Sequence, residues 1–194
     1  MYVRDAKNRE EVWLLDHIEA MELDETAFRS RDYVIALDEQ SGTKAGFGRI
    51  RIHRTDEDEL CELTSIGVLD GWRGQGVGAH VVERLVEHAR DEGFELVYSL
   101  TDEPGYLTQF GFRGISTEEL PTRLQERLQE KRSNIAPEAV PLAIENGEFE
   151  MPQRLRERFK TAREHGGDDP EDADEPAEDF GIDPDAATYK YDTS

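Results

Sequence analysis

The chain has 194 residues, a length that predicts one domain with an appendage. Its formal net charge is −22. This charge argues against a nucleic-acid partner, because no basic stripe is available to bind phosphate backbones. No apolar run approaches the ~18 residues that a membrane span requires, and no secretory leader is evident. We therefore expect a cytoplasmic protein with no membrane partner.

Acidic residues occur along the whole length, and the chain has five lysines against 18 arginines. This composition is typical of halophilic proteins, which work in a high-salt cytoplasm where carboxylates keep the surface hydrated and salt screens their repulsion. An acidic surface that attracts cationic substrates is the alternative. We favour adaptation to salt.

Hydrophobic spacing before residue 70 predicts two helices and four strands. The helices are expected over Glu10–Met21 and Leu23–Ser30, with Asp24 as the cap of the second. Three of the strands are joined by short connections and are expected to be antiparallel. The four strands are expected over Tyr2–Arg4, Tyr33–Leu37, Ala45–His53 and Glu62–Leu69.

The last of these strands leads into a helix through a turn that contains Gly74, Gly76 and Gly78. Such a turn leaves backbone N–H groups free at the positive end of the helix, and glycines let an anion approach them closely. The turn therefore predicts a phosphate cradle. A Walker loop does not fit, because Lys-Ser/Thr does not follow Gly78. A dinucleotide-binding fingerprint, G-x-G-x-x-G, does not fit the G-x-G-x-G spacing either. The alternative to a phosphate cradle is a glycine-rich strand–helix connection that binds no ligand.

A strand over Phe94–Leu100 follows that helix, and a strand–helix–strand connection of this length predicts a parallel pair within the sheet. Further on we expect a charged helix over 117–132, a strand over Ala139–Ile144 and a basic helix over 151–163. The segment 166–194 holds 11 acidic residues against one lysine, and this composition predicts disorder.

Arg73, Gly76 and Gly78 match the R-x-x-G-x-G/A signature of the GNAT superfamily of N-acetyltransferases, which the chain resembles. Gly111 and Phe112 match the end of a second, aromatic signature of that family, in the expected order. Both matches lie within residues 60–115, and the strand–helix layout extends the resemblance to the amino terminus. We expect the acetyltransferase domain to occupy residues 1–165.

The resemblance implies an α/β fold with a mixed, mostly antiparallel sheet, in which one parallel pair of strands splays apart to admit the pantetheine arm of acetyl-CoA. It implies that the glycine turn holds the pyrophosphate and that the Val68 N–H donates to the oxyanion. The five histidines show no ligand spacing, so no metal is expected. The residues expected to bind acetyl-CoA are Ile66, Gly67, Val68, Arg73, Gly74, Gln75, Gly76, Val77, Gly78 and Ala79.

No Ser-His-Asp or Cys-His arrangement is evident, which favours direct transfer over an acyl-enzyme, and Cys61 is expected to be a buried core thiol. The resemblance places a catalytic base at Glu62, whose pKa we expect burial to raise. An exposed carboxylate or a water relay is the alternative.

The resemblance places the family's general acid, a tyrosine, at the position of Leu107. The nearest tyrosine is Tyr106, one residue earlier, and a shift of one residue along a helix turns the side chain by about 100°. The acid is therefore Tyr106 or solvent.

The expected function is direct transfer of acetyl from acetyl-CoA to a primary amine of an amino acid or small metabolite. Glu62-Leu63-x-Ser65 and the late strand resemble the amino-acid branch of the family, which includes N-acetylglutamate synthase. Arg49, Arg51 or Arg113 are the cations that an acceptor carboxylate would need. The alternatives are a protein lysine or N-terminal acetyltransferase and a non-catalytic acetyl-CoA-binding module. The sequence does not fix the oligomeric state, and a homodimer is possible.

Overall fold

The computed structural model describes residues 1–165, and the acidic segment 166–194, for which the sequence predicts disorder, lies outside the described residues. The described part contains seven strands and five α-helices. The strands are β1 (Tyr2–Asp5), β2 (Tyr33–Leu37), β3 (Lys44–Arg54), β4 (Glu59–Val68), β5 (Leu96–Thr101), β6 (Arg113–Gly114) and β7 (Val140–Glu145). The helices are α1 (Glu11–Ala20), α2 (Val77–Asp91), α3 (Pro104–Thr108), α4 (Thr122–Asn134) and α5 (Gln153–Lys160).

The described strands form one mixed sheet in the order β1-β2-β3-β4-β5-β7-β6. β4 and β5 run parallel and are joined by the crossover helix α2, as parallel neighbours require. The other neighbouring pairs of this sheet are antiparallel. The predicted sheet, mostly antiparallel with one parallel pair, is therefore confirmed.

The parallel pair separates soon after it forms. Pairing ends where Leu63 of β4 lies opposite Ser99 of β5, although β4 itself continues to Val68. In that continuation Ser65 adopts a φ of 53°, and the register of β4 against β3 shifts at the same point. These two features mark a β-bulge, which bends its strand and disrupts the ladder locally. The carboxyl-terminal part of β4 is therefore left without a strand partner on its β5 side.

The helices cover both faces of the sheet. Residues of α2 and α5 pack with Val34, Ile50 and Leu63 in the largest apolar cluster. On the opposite face α1 packs with β2 and Phe47, and Leu124 and other residues of α4 pack with β5 and β7. The glycine turn therefore opens on the α2 side, and Glu62 lies under α4.

One predicted helix is absent. Residues 23–29 form irregular backbone, and only a short 3₁₀ turn, Ser30–Asp32, follows them. Ala27 has a φ of 52°, which no α-helix accommodates. Asp24 does not cap a helix; instead its side chain accepts the Thr26 N–H at 2.9 Å and forms a buried ion pair with Arg127. The acidic residue that suggested a cap therefore belongs to a tertiary contact.

None of the helices in residues 1–165 is long and apolar enough to cross a membrane.

Candidate active site

The glycine turn ends in an uncapped helix start. Gly74 and Gly76 have φ values of 71° and 75°, in the left-handed region that favours glycine. α2 begins directly after Gly76, and no side chain caps it. The first helical bond runs from the His80 N–H to the Gly76 carbonyl at 3.2 Å. The N–H groups of Val77, Gly78 and Ala79 therefore have no acceptor within the helix, an arrangement at its positive end that suits an anion.

Arg73 ties the turn to the end of β4. Its Nη2 lies 3.2 Å from Oδ1 of Asp70, and its Nε donates to the Val68 carbonyl at 3.4 Å. Its side chain is about one-quarter exposed. Arg73 therefore fixes the path of the chain between strand and helix, and part of its charge is already offset by Asp70.

The hydrogen bonding of β4 shows which way Val68 points. The Leu69 N–H donates to the Ala45 carbonyl at 2.9 Å, while Val68 lies opposite Gly46. In an antiparallel ladder this pattern makes Val68 and Gly46 a non-hydrogen-bonded pair, whose N–H and C=O groups point away from each other. The Val68 N–H therefore points to the side where β5 has separated. Because directions alternate along a strand, Ile66 points to the same side and Gly67 toward β3.

Ser99 marks the point where the two strands part. Its Oγ donates to the Leu63 carbonyl at 3.2 Å, and both residues are buried. A side-chain hydroxyl therefore satisfies the last β4 carbonyl that β5 can reach, and beyond it the β4 edge is open to an added, strand-like ligand.

Glu62 is completely buried on the opposite face of the sheet, under α4. Its Oε1 accepts a hydrogen bond from His53 Nε2 at 2.9 Å and one from Arg127 Nε at 3.2 Å. Burial raises the pKa of Glu62, but the hydrogen bond from His53 and the charges of Lys131, His53 and Arg51 outweigh it, so the pKa lies below its ordinary value. The expectation of a raised pKa is wrong, because the sequence did not place these cations beside the carboxylate.

Glu62 belongs to a larger set of charged side chains that we call the buried charge cluster. Arg127 pairs with Asp24, and Lys131 Nζ donates to the Thr64 hydroxyl at 3.4 Å. Burial lowers the pKa of Lys131, as expected for an ammonium group taken out of water. The cluster contains four cationic side chains and two buried carboxylates, besides a histidine. Its members are Asp24, Arg49, Arg51, His53, Glu62, Arg127 and Lys131.

Three polar atoms of the cluster are buried without a hydrogen-bond partner: Arg49 Nε, Arg51 Nη1 and Glu62 Oε2. Arg51 and Glu62 are cross-strand partners, and Arg49 lies two residues before Arg51 on β3, so all three share one face. Buried donors and acceptors left unpaired are costly. Two cationic donors and one carboxylate acceptor on one face match a ligand that carries both a carboxylate and an amine.

Arg113, the third predicted cation, does not join this cluster. It is exposed on β6, at the far edge of the sheet.

Leu107 and Tyr106 occupy one turn of α3. Leu107 is fully buried and packs in the cluster of α2 and α5, whereas Tyr106 is partly buried and packs edge-on against Phe110 at 5.4 Å between ring centroids. The side chain at the family's tyrosine position is therefore core, and the role of Tyr106 as acid stays a prediction.

Cys61 is a buried core thiol, as predicted. Burial raises its pKa to about 12, which keeps it protonated and unreactive at neutral pH. Among residues 1–165 no group of three or more His, Cys, Asp or Glu side chains is arranged to hold a metal ion.

Sequence reasoning missed His53, Asp24, Arg127 and Lys131. A signal for the last two was present, because Arg127 and Lys131 are four residues apart on the same face of a helix as Leu124 and Leu128. Two cations on an apolar stripe predict a buried charge. No local pattern pointed to His53, and the pattern around Asp24 suggested only a helix cap.

The family model of the acetyltransferase (GNAT) family matches residues 2–112. Mycothiol acetyltransferase of Thermobifida fusca is 32% identical over 81 residues, which are 39% of this chain and 25% of that protein. An uncharacterised N-acetyltransferase of Chlorobaculum tepidum is 30% identical over 66 residues, which are 34% of this chain and 43% of that protein. The matched regions thus span less than half the length of these curated relatives.

Solved structures share the fold at low sequence identity. Rv2747 of Mycobacterium tuberculosis, in complex with CoA and NLQ, is 18% identical with a TM-score of 0.62 over 75% of this chain and 99% of that chain. N-acetylglutamate synthase of Neisseria gonorrhoeae, in complex with coenzyme A and N-acetyl-glutamate, is 19% identical with a TM-score of 0.58 over 74% of this chain and 34% of that chain. Because the family model covers more than half of the sequence, the chain belongs to the acetyltransferase (GNAT) family.

Proposed function

We propose that the chain is an acetyl-CoA-dependent N-acetyltransferase that moves an acetyl group directly onto the primary amine of an amino acid or a related small metabolite. One observation carries the proposal. The unsatisfied N–H groups at the start of α2 and the open edge of β4 flank one short turn, so a single ligand can use both. Acetyl-CoA combines phosphates with an amide-containing arm. Proteins of the same fold that hold CoA support this choice.

The donor half of the proposal uses main-chain groups. The N–H groups of Val77, Gly78 and Ala79 would bind the pyrophosphate, and the outward-pointing groups of Ile66 and Val68 would pair with the amide-containing arm. When bound, acetyl-CoA supplies an acetyl group on a thioester. Gly67 is not expected to pair with the arm, since its polar groups point toward β3.

The acceptor half uses the buried charge cluster. A carboxylate-bearing acceptor would satisfy the unpaired donors of Arg49 and Arg51, and its ammonium group would satisfy Glu62 Oε2. Arg49 is completely buried and Glu62 likewise. Two guanidinium donors and one carboxylate match the two charged groups of a free amino acid, which favours a small anionic acceptor over a lysine or an amino terminus presented by another protein.

Proton transfer follows from the ionised state of Glu62. Its lowered pKa keeps the carboxylate charged at neutral pH, so it can hold the acceptor's ammonium group and orient a water that takes the ammonium proton, whereas the same shift makes Glu62 itself a weak base. The amine then forms the new C–N bond as the C–S bond breaks, and the Val68 N–H is the donor available to the carbonyl oxygen. The nitrogen then gives up its second proton to solvent, and the departing thiolate takes a proton from Tyr106 or from solvent.

Adaptation to salt is a second proposal, about the surface. Among residues 1–165, the only buried acidic side chains are Glu10, Asp24 and Glu62. The other carboxylates of this region are therefore available for hydration.

Melting the protein across a series of KCl concentrations tests the salt proposal. We expect the melting temperature to rise from dilute buffer to molar salt, because screening weakens the repulsion among exposed carboxylates. Maximal stability in dilute buffer would contradict it.

Calorimetric titration with acetyl-CoA in high salt tests the donor site. Gln75→Glu places a carboxylate in the glycine turn at almost constant volume and removes the Nε2 donor to the Arg163 carbonyl, so we expect about a tenfold loss of affinity from repulsion of the phosphates together with the lost hydrogen bond. Gln153→Glu, which adds the same charge at an exposed position at the start of α5, is the matched control and should bind like the wild type. Equal affinity of the two variants would place the phosphates elsewhere.

An acceptor screen read by release of CoA tests the substrate class. We expect free amino acids to react and their amides to lose at least about tenfold in kcat/KM, because an amide leaves the arginine donors without a charged partner. Peptides serve as the competing class. Turnover of peptides without turnover of amino acids would favour a protein acetyltransferase, and CoA binding without turnover of either would favour a non-catalytic module.

Glu62→Gln should lower kcat/KM by about 100-fold, the scale of a lost general base. Because the folded pKa of Glu62 lies below its ordinary value of 4.5, its charge persists through the neutral range. The acid limb of the wild-type pH profile near neutrality should therefore survive in the variant. Stability contributed by Glu62 is complete above pH 4.5 and is lost as the pH falls below that value.

Glu59→Gln, on the exposed beginning of β4, is the control for this substitution. Removing the anion from the buried charge cluster costs about 3–5 kcal/mol of stability, so folding is checked by circular dichroism. Glu62→Asp, which keeps the charge but shortens its reach, should fold and still lose activity. Unchanged turnover in either folded Glu62 variant removes this residue from the mechanism.

A further inference from the structure

Residues 151–165, which we call the C-terminal strap, lie along the glycine turn. Arg158 Nη1 donates to the Gly74 carbonyl at 3.1 Å. Gln75 and Arg163 bond reciprocally, with Gln75 Nε2 donating to the Arg163 carbonyl at 2.8 Å and the Arg163 N–H donating to Gln75 Oε1 at 2.9 Å. The His165 N–H donates to the Gly71 carbonyl at 2.8 Å. Four hydrogen bonds thus join the strap to one short turn.

Close packing accompanies these bonds. A Cβ atom on Gly76 would lie 2.4 Å from the Leu155 carbonyl oxygen, so the strap touches the turn where only glycine fits. Phe159 stacks on His80 with 3.8 Å between ring centroids, and His80 Nδ1 donates to the Gly76 carbonyl at 2.7 Å. The turn is therefore held between α2 and the strap.

The bond from Arg158 sets the direction of a peptide group. In a planar trans peptide the C=O of one residue and the N–H of the next point in opposite directions. Because Arg158 holds the Gly74 carbonyl on the strap side, the Gln75 N–H points away from the strap. Arg158 also places a guanidinium charge beside the turn, in a chain whose net charge is −22.

We propose that Arg158 is a positioning residue for the phosphates of the acetyl donor: its hydrogen bond to the Gly74 carbonyl orients the 74–75 peptide group in the glycine turn. The inference builds on the proposed donor site. The strap lies outside the residues that the family model matches, 2–112, so the family match does not supply this role.

The test compares two donors, acetyl-CoA and S-acetylpantetheine, which lacks the nucleotide and its pyrophosphate. With acetyl-CoA, Arg158→Ala should raise the KM for the donor about tenfold, as for a lost charge-assisted hydrogen bond, and leave kcat and the acceptor KM within about twofold. With S-acetylpantetheine the variant should match the wild type. Arg158→Lys should recover part of the loss, because it restores the charge without the planar fork.

Arg156→Ala is the matched control, because Arg156 lies on the same helix and pairs with Glu83 of α2 at 2.7 Å instead of with the turn. It should leave both donors unaffected. Gln75→Ala, which removes the reciprocal bonds to Arg163, should reproduce the selective loss with acetyl-CoA and keeps the proposal testable if Arg158→Ala does not fold.

Equal losses with both donors, or no loss in Arg158→Ala, would overturn the role of Arg158. A wild-type protein that uses neither donor and binds no acetyl-CoA would instead refute the proposed function, so the two failures are distinguishable.

Discussion

The separation of β4 from β5 is the constraint on which the rest of the structure depends. In a regular parallel pair the N–H and C=O groups of β4 up to Val68 would be hydrogen-bonded to β5, and no ligand could pair there. The bulge at Ser65 and the last pair at Leu63 leave that edge open directly before the glycine turn. The start of α2 then places unsatisfied N–H groups at the other end of the turn. The proposed donor site is therefore built from backbone groups, and side chains support it.

The two faces of the sheet carry different parts of the proposed site. On the α2 face, apolar packing and the C-terminal strap hold the glycine turn, which carries the proposed anion site. On the α4 face, Arg127 and Lys131 bring positive charge into the interior of a strongly acidic chain. His53, Lys131 and Arg51 keep Glu62 ionised, and burying these charges costs desolvation that an anionic acceptor would partly offset.

Sequence patterns were sufficient for features built from neighbouring residues. The glycine turn, the strand that precedes it and the parallel crossover follow from local spacing, and all three are present. Contacts between distant residues were not predictable in the same way. Arg127 reaches Glu62 across 65 positions and Arg158 reaches Gly74 across 84, so neither the buried charge cluster nor the strap could be inferred from strand and helix periods. The absent helix before residue 30 is a similar case, since Asp24 pairs with Arg127 across 103 positions.

The central claim is that one ligand binds both the start of α2 and the open edge of β4. Titration of ¹⁵N-labelled protein with CoA, followed by backbone amide resonances, tests it most directly. The account predicts that the amides of Val68, Val77, Gly78 and Ala79 shift together along one saturating curve, because hydrogen bonds form at all of them. Shifts confined to other parts of the chain, or two independent curves for β4 and α2, would contradict it.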